Sequence, residues 1–148
     1  MKNKKRLIFG IILVAALAFL AYGCTNALKD AASLQTYDFG TDQVATVNSV
    51  VGDRTVSGMD VGTENGNSYQ QYTYSSDSVL NDLIAYSAYL RNNGWTATQD
   101  YDFSAAPGST QMAIVSADSG LVLVMDISFE SNDFTIKVTK EAGTLTTN

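Results

Sequence analysis

Apolar residues recur along this chain in three rhythms, and each rhythm predicts a different element. From Leu7 to Gly23 they form a run without charge, preceded by Lys2, Lys4, Lys5 and Arg6 and ended by Cys24. Between Val79 and Leu90 they fall at 3.6-residue spacing. Val79, Leu80, Leu83, Ile84, Tyr86, Ser87 and Leu90 share one side of a helix, and Asn81, Asp82, Ala85, Ala88 and Tyr89 share the other. Ser75, Ser76 and Asp77 offer cap oxygens and negative charge at its start, and Asn93-Gly94 offers a left-handed stop. Ser87 lies within the apolar stripe, where a small side chain lets the helix approach a sheet closely.

The third rhythm is a period of two. Trp95, Ala97, Tyr101 and Phe103 alternate with Thr96, Thr98, Asp100 and Asp102, as a half-buried strand requires. Ser104 to Ser109 reads as a loop, Gln111 to Ala117 as a strand, and Asp118-Ser119-Gly120 as a hairpin connection. Leu121, Leu123, Met125, Ile127 and Phe129 make the most apolar strand face in the chain and are expected at the centre of the sheet. After Ser131-Asn132-Asp133, a last strand turns Phe134, Ile136 and Val138 inward and Thr135, Lys137 and Thr139 outward. Upstream, Gln43 to Val51 and Arg54 to Val61 are strand-like, with turn chemistry at Gly52-Asp53. Glu64-Asn65-Gly66-Asn67 is a second turn. In Ser68 to Ser75 both faces are mixed, so the pattern leaves the buried one open. Residues 142–148 are expected to fray.

These elements predict an α+β fold of two layers: one helix packed on a curled antiparallel sheet of about six to seven strands, in the order ββ(β)αββββ. One helix is small cover for so many strands, so the second sheet face is expected to meet water, a ligand or a partner. The domain organisation read from the pattern is a signal over 1–23, a tether over 24–42 and a single folded domain over 43–148.

Leu20-Ala21-Tyr22-Gly23-Cys24 resembles the lipobox of bacterial lipoproteins, in which the cysteine is acylated and becomes the new N-terminus. Gly23 and Cys24 match that pattern; Ala21 and Tyr22 depart from the leucine and small residue usual there. Cleavage by a plain secretory peptidase after Gly23 and an uncleaved single N-terminal transmembrane anchor are the alternatives. The 16 residues from Leu7 to Tyr22 are short of the ~20 that a membrane-crossing helix needs. The lipobox resemblance implies attachment through lipid on Cys24 at the outer face of the cell membrane, where two or more acyl chains hold firmly. A wider resemblance covers most of Gln43 to Glu141. Val50-Val51-Gly52-Asp53-Arg54, Tyr72-Thr73-Tyr74 and Tyr89-Leu90-Arg91-Asn92-Asn93-Gly94-Trp95 are similar to small extracytoplasmic domains of Gram-positive lipoproteins and single-span proteins. That family implies a fold and an address, and no activity.

Charge sharpens the picture. All 15 acidic residues follow Gly23, with Lys29, Arg54, Arg91, Lys137 and Lys140 as the basic ones, so that part carries −10 against −6 for the whole chain. Such a body repels phosphate backbones, and nucleic acid is not an expected partner. The chain has no histidine and one cysteine. That removes histidine-dependent triads, intrachain disulfides and the usual transition-metal ligands, and no cofactor or metal is expected. A serine–lysine pair is left, with Lys137 and Lys140 both read as solvated.

Three constellations bear on candidate chemistry. Asp100 and Asp102, on one strand face, would stand roughly 6–7 Å apart, a separation that suits glycosidic acid–base work or a hard cation. Alternate charges are also what a wet strand face looks like. Asp60, Glu64, Asn65 and Asn67 resemble a calcium loop, but the spacing fails the required pattern and a turn is the better reading. Tyr69, Tyr72, Tyr74 and Tyr89 form the candidate binding surface, suited to sugar rings or a protein partner, although tyrosine is also an ordinary strand former. The expected function is a non-enzymatic, membrane-tethered module that binds an envelope glycan, peptide or protein. The alternatives are a carboxylate-dependent hydrolase of envelope carbohydrate and a self-associating structural module.

Overall fold

The computed structural model of the chain describes residues 26–100 and 102–146. The apolar run over 7–23, Cys24 and Tyr101 lie outside the described residues. The fold is α+β: a six-stranded antiparallel sheet, open at both edges, with a helix packed on one face and a small two-stranded sheet beside it. The elements are α1 (26–33), β1 (Thr36–Asp38), β2 (Gln43–Ala45), α2 (Val47–Val51), β3 (Thr55–Glu64), β4 (Asn67–Ser75), α3 (Val79–Asn92), β5 (Thr96–Ala97), β6 (Gly108–Val115), β7 (Leu121–Phe129) and β8 (Asp133–Ala142).

Among the described residues the large sheet runs β3-β4-β8-β7-β6-β5. The two most apolar strands, β7 and β8, occupy its middle. Their inward residues stand side by side across the ladder, Met125 with Val138, Ile127 with Ile136 and Phe129 with Phe134, and all six are buried. Asn65 and Gly66 join β3 to β4 with positive φ at both positions (52° and 82°), the backbone a two-residue hairpin demands. After β4 the chain crosses the sheet as α3, enters at the far edge as β5, and returns strand by strand until β8 meets β4.

Helix α3 buries Val79, Leu83, Tyr86, Ser87 and Leu90, and Gly94 (φ +91°) ends it. Two positions depart from the sequence reading. Ile84 is 50% exposed, whereas Asp82, expected on the wet side, is buried. The reason is a charged partner that the helical pattern does not contain. Arg54, just before β3, donates from Nε and Nη2 to the two oxygens of Asp82, each at 2.7 Å, and Ser76 Oγ donates at 2.6 Å. Meeting that fork turns Asp82 inward and leaves Ile84 facing water.

The remaining cover over the sheet comes from the segment read as a tether. Ala31 and Tyr37 lie in the hydrophobic core, so residues 26–42 are packed structure. The Tyr37 ring stacks on Tyr72 with centroids 4.9 Å apart, and Tyr86 Oη donates to Ala45 O at 2.8 Å. The strand expected over Gln43 to Val51 stops at Ala45. Thr46 Oγ1 accepts the Ser49 N–H, which starts α2 and makes Gly52 (φ +92°) a helix cap rather than a hairpin turn.

A third correction concerns Trp95 to Phe103. Only Thr96–Ala97 pairs as strand; the Thr98 and Gln99 N–H groups still donate to Gln111 O, and residues 102–107 are loop. Trp95 and Phe103 are buried as their alternation suggested, but they bury as flanks of a loop. At the other end the ladder persists to Ala142, and Gly143 N–H donates to Gly120 O, so the chain does not fray from Ala142.

Candidate functional site

The structure separates the four candidate tyrosines. Tyr72 and Tyr74 face inward and are buried; Tyr74 stacks on Phe134 and shares a 2.5 Å hydrogen bond with the Tyr37 hydroxyl. Burial pushes the Tyr74 and Tyr37 phenols well above the ordinary tyrosine range. Tyr69 is on the opposite face, its hydroxyl donating to Asp60 at 3.0 Å and its ring 4.8 Å beneath Lys137 Nζ. Tyr89 is exposed on α3, on the other side of the sheet from Tyr69. No flat tyrosine surface results, and two of the four are core.

The carboxylate pair is also dispersed. Asp100 and Asp102 lie in the loop after β5, both exposed, without a common strand face to set their separation. Asp102 accepts the Ser104 N–H at 2.8 Å, and hydrogen bonds from the Ser104 side chain and then its backbone hold the carboxyl below the ordinary range, as in a solvated turn-capping carboxylate. Among the described residues no group of three or more acidic or sulfur side chains is placed to hold a metal ion.

What the strands do assemble on the outer sheet face is two polar rows, bordered by a third in which Ala113, Val124, Thr139 and Tyr69 stand side by side. The register places Gln111, Asp126, Lys137, Gln71 and Asp60 in one row across β6, β7, β8, β4 and β3. Ser109, Ser128, Thr135, Thr73 and Gly58 form the next row. Neighbours within a row are about 4.8 Å apart, and the rows are separated by about 6.6 Å. Several members already hold one another: Gln111 Nε2 donates to Asp126 at 2.8 Å, and the Thr73 and Thr135 hydroxyls meet at 2.9 Å. Lys137 reaches past Tyr69 to Glu64 at 2.7 Å, a bond that raises its pKa. Every one of these side chains retains unused donors or acceptors, Gly58 having none, so the two rows form a lattice of hydrogen-bonding groups.

Comparison with protein-family models, curated proteins and solved structures finds no match. The reading of this chain therefore rests on its own residues.

Sequence reasoning missed a second cluster. Lys140 Nζ lies 2.8 Å from Asp42 and 2.5 Å from Asp118, and also donates to Thr41 Oγ1 and Phe39 O. Asp42 further accepts from Ser116 Oγ and from Ala117 N–H. Burial pushes the Asp42 carboxyl up, but the Ala117, Lys140 and Ser116 donors outweigh it and hold the group low. The two carboxylates, Asp118 foremost, raise Lys140 in turn. The signal was present in the parity of β8: Lys140 continues the inward series Phe134, Ile136, Val138, so it cannot share the wet side with Lys137 and Thr139. A lysine held between two carboxylates keeps its proton, which makes it a clamp and not a base.

Open recesses flank these features. One of about 710 Å³ lies where α3 begins, lined by Asp53, Arg54, Ser76, Asp77, Ser78 and Asp133 among others. Its guanidinium is already committed to Asp82.

Proposed function

We propose that this protein is a lipid-anchored extracytoplasmic module that binds an envelope glycan on its open sheet face, without catalysing a reaction. The observation that carries the binding reading is the pair of polar rows: ten aligned positions on five strands, of which nine are hydroxyl, amide or charged side chains. Such rows match the dense, regularly spaced hydroxyls of a polysaccharide. Strands rigid in the middle of a sheet also hold these groups in place before the ligand arrives.

The address rests on the sequence: the basic start, the uncharged run and the resemblance of Leu20-Ala21-Tyr22-Gly23-Cys24 to a lipobox. Among the described residues no helix is long and apolar enough to cross a membrane. Attachment through Cys24 predicts that Cys24→Ser moves the protein out of the detergent phase; unchanged partition would end that part of the reading.

Binding is tested by co-sedimentation of the full chain with isolated cell-wall polysaccharide. The Gln111→Ala/Thr135→Val variant, altered in both rows, should pellet at least about tenfold less well, a loss of roughly 1.4 kcal/mol. Equal pelleting of variant and wild type, or none by either, would refute the glycan reading.

A further inference from the structure

The sheet is unequal at its two edges. β5 is two residues long and its chain leaves into a loop, whereas β3 spans ten residues and pairs, among the described residues, only with β4. Protein edges of this length are usually blunted, because unpaired N–H and C=O groups recruit another strand. A bulge at Ser57, between Val56 and Gly58, does blunt the first part. From Gly58 to Glu64 the ladder to β4 is regular, so the outer side of that stretch is a usable template.

Its two faces differ. On the side shared with Tyr72 and Gln70, Met59 and Val61 are 44% and 54% exposed. On the other side stand Gly58, Asp60, Gly62 and Glu64, with Tyr69 packed over Gly62. An incoming strand would therefore meet apolar side chains on one face, and acidic or absent side chains on the other. Cross-strand pairing favours a complement of apolar opposite apolar and basic opposite acidic.

We infer that β3 accepts an extended segment of another protein, adding a seventh strand, and that this segment alternates apolar with lysine or arginine residues. A second copy of the chain fits less well. Each copy carries −10 after Gly23, and a two-fold pairing that sets Met59 against Val61 places Asp60 directly opposite Asp60. The charge of the body instead draws in a basic partner. This site shares Gly58 and Asp60 with the polar rows, but its anchoring side chains, Met59 and Val61, project from the opposite side of the sheet.

The test uses the full chain in detergent and a fluorescent peptide of alternating valine and lysine. Controls are the same composition in shuffled order and a valine–glutamate alternation. Fluorescence anisotropy should show binding of the alternating lysine peptide, about tenfold weaker for the shuffled one. Amide exchange should slow across residues 58–64. Met59→Glu/Val61→Glu, both at exposed positions, should reduce binding about tenfold while leaving polysaccharide sedimentation unchanged, so this inference and the glycan reading fail separately. Equal binding of ordered and shuffled peptides would overturn it as mere charge attraction. So would protection elsewhere, no binding, or a dimer in which β3 is already protected without peptide.

Discussion

Arg54→Ala is the sharpest test of how the helix is held. The side chain of Asp82 is 5% exposed and that of Arg54 is 27% exposed, with two 2.7 Å bonds between them. Removing one partner of a fully buried pair costs about 3–5 kcal/mol, and an exposed pair contributes about 0–1 kcal/mol. Asp82 is on the buried side of that range and Arg54 is reached by water, so a loss of about 2–3 kcal/mol is expected. In a folded body of about 120 residues this is a fall in Tm of roughly 8–12 °C. Trp95, the single tryptophan and buried, reports urea unfolding by its fluorescence.

The pH dependence has a definite sign. Burial pushes the Asp82 carboxyl up, but the bonds from Arg54 and Ser76 outweigh it and leave the group below its ordinary value. Its contribution is therefore complete above the ordinary carboxylate range, near pH 4, and is lost as pH falls through the lowered native pKa. In Arg54→Ala the burial remains and the guanidinium does not, so protonation relieves the variant. Wild type and variant should converge in acid. Arg54→Leu/Asp82→Leu, which removes both charges, should be close to neutral in stability at pH 7. A loss below about 1 kcal/mol that is the same at pH 7 and about pH 3 would refute the reasoning, because the pair would then be behaving as a surface contact.

Four further outcomes follow from the packing. Tyr37→Phe should cost about 1–2 kcal/mol by stranding the buried Tyr74 hydroxyl, and Tyr37→Phe/Tyr74→Phe should cost less than the two single changes summed, as a double-mutant cycle will measure. Tyr37, Tyr74 and Tyr86 are all raised by burial, so the folded state resists their ionisation and stability should fall as pH rises above the ordinary tyrosine value near 10; absorbance at alkaline pH should show them titrating only on unfolding. Gly108→Ala would press a methyl group into the Phe129 ring and should destabilise by about 1–3 kcal/mol in urea unfolding. Lys140→Met should speed amide exchange at 39–42 and 117–120, the loops it joins, and unchanged rates there would show that the clamp does not hold them.

Where neighbouring side chains decide the structure, the sequence was informative. The alternation in Leu123 to Phe129 and Phe134 to Val138 identified the central strands and their inward faces, because each residue's environment repeats every second position. Asn65-Gly66 announced its hairpin through backbone chemistry that few other residues supply. The failures came where a distant partner overrides local pattern. Asp82 has no reason to be buried until Arg54 is known to lie against it, and nothing in the alternation after Ala97 announces that the ladder to β6 ends there. Residues 26–42 looked like a linker because their apolar content is thin. Ala31 and Tyr37, with Leu28, Ala32 and Phe39 partly buried beside them, dock them on the core. For the candidate site, the outward threonines and lysine of β8 were legible, but the rows they join depend on a register that links β8 to β4, sixty residues apart.

The docking of α1 has a mechanical consequence. Leu28 already packs against the core, and only four residue steps separate it from Cys24, at most about 14 Å of extended chain. If Cys24 carries lipid, the leash is too short for the domain to search the space above the bilayer. The body would ride close over the headgroups with limited freedom to turn, its sheet fixed at one inclination, and whatever it binds must come within reach of the membrane surface.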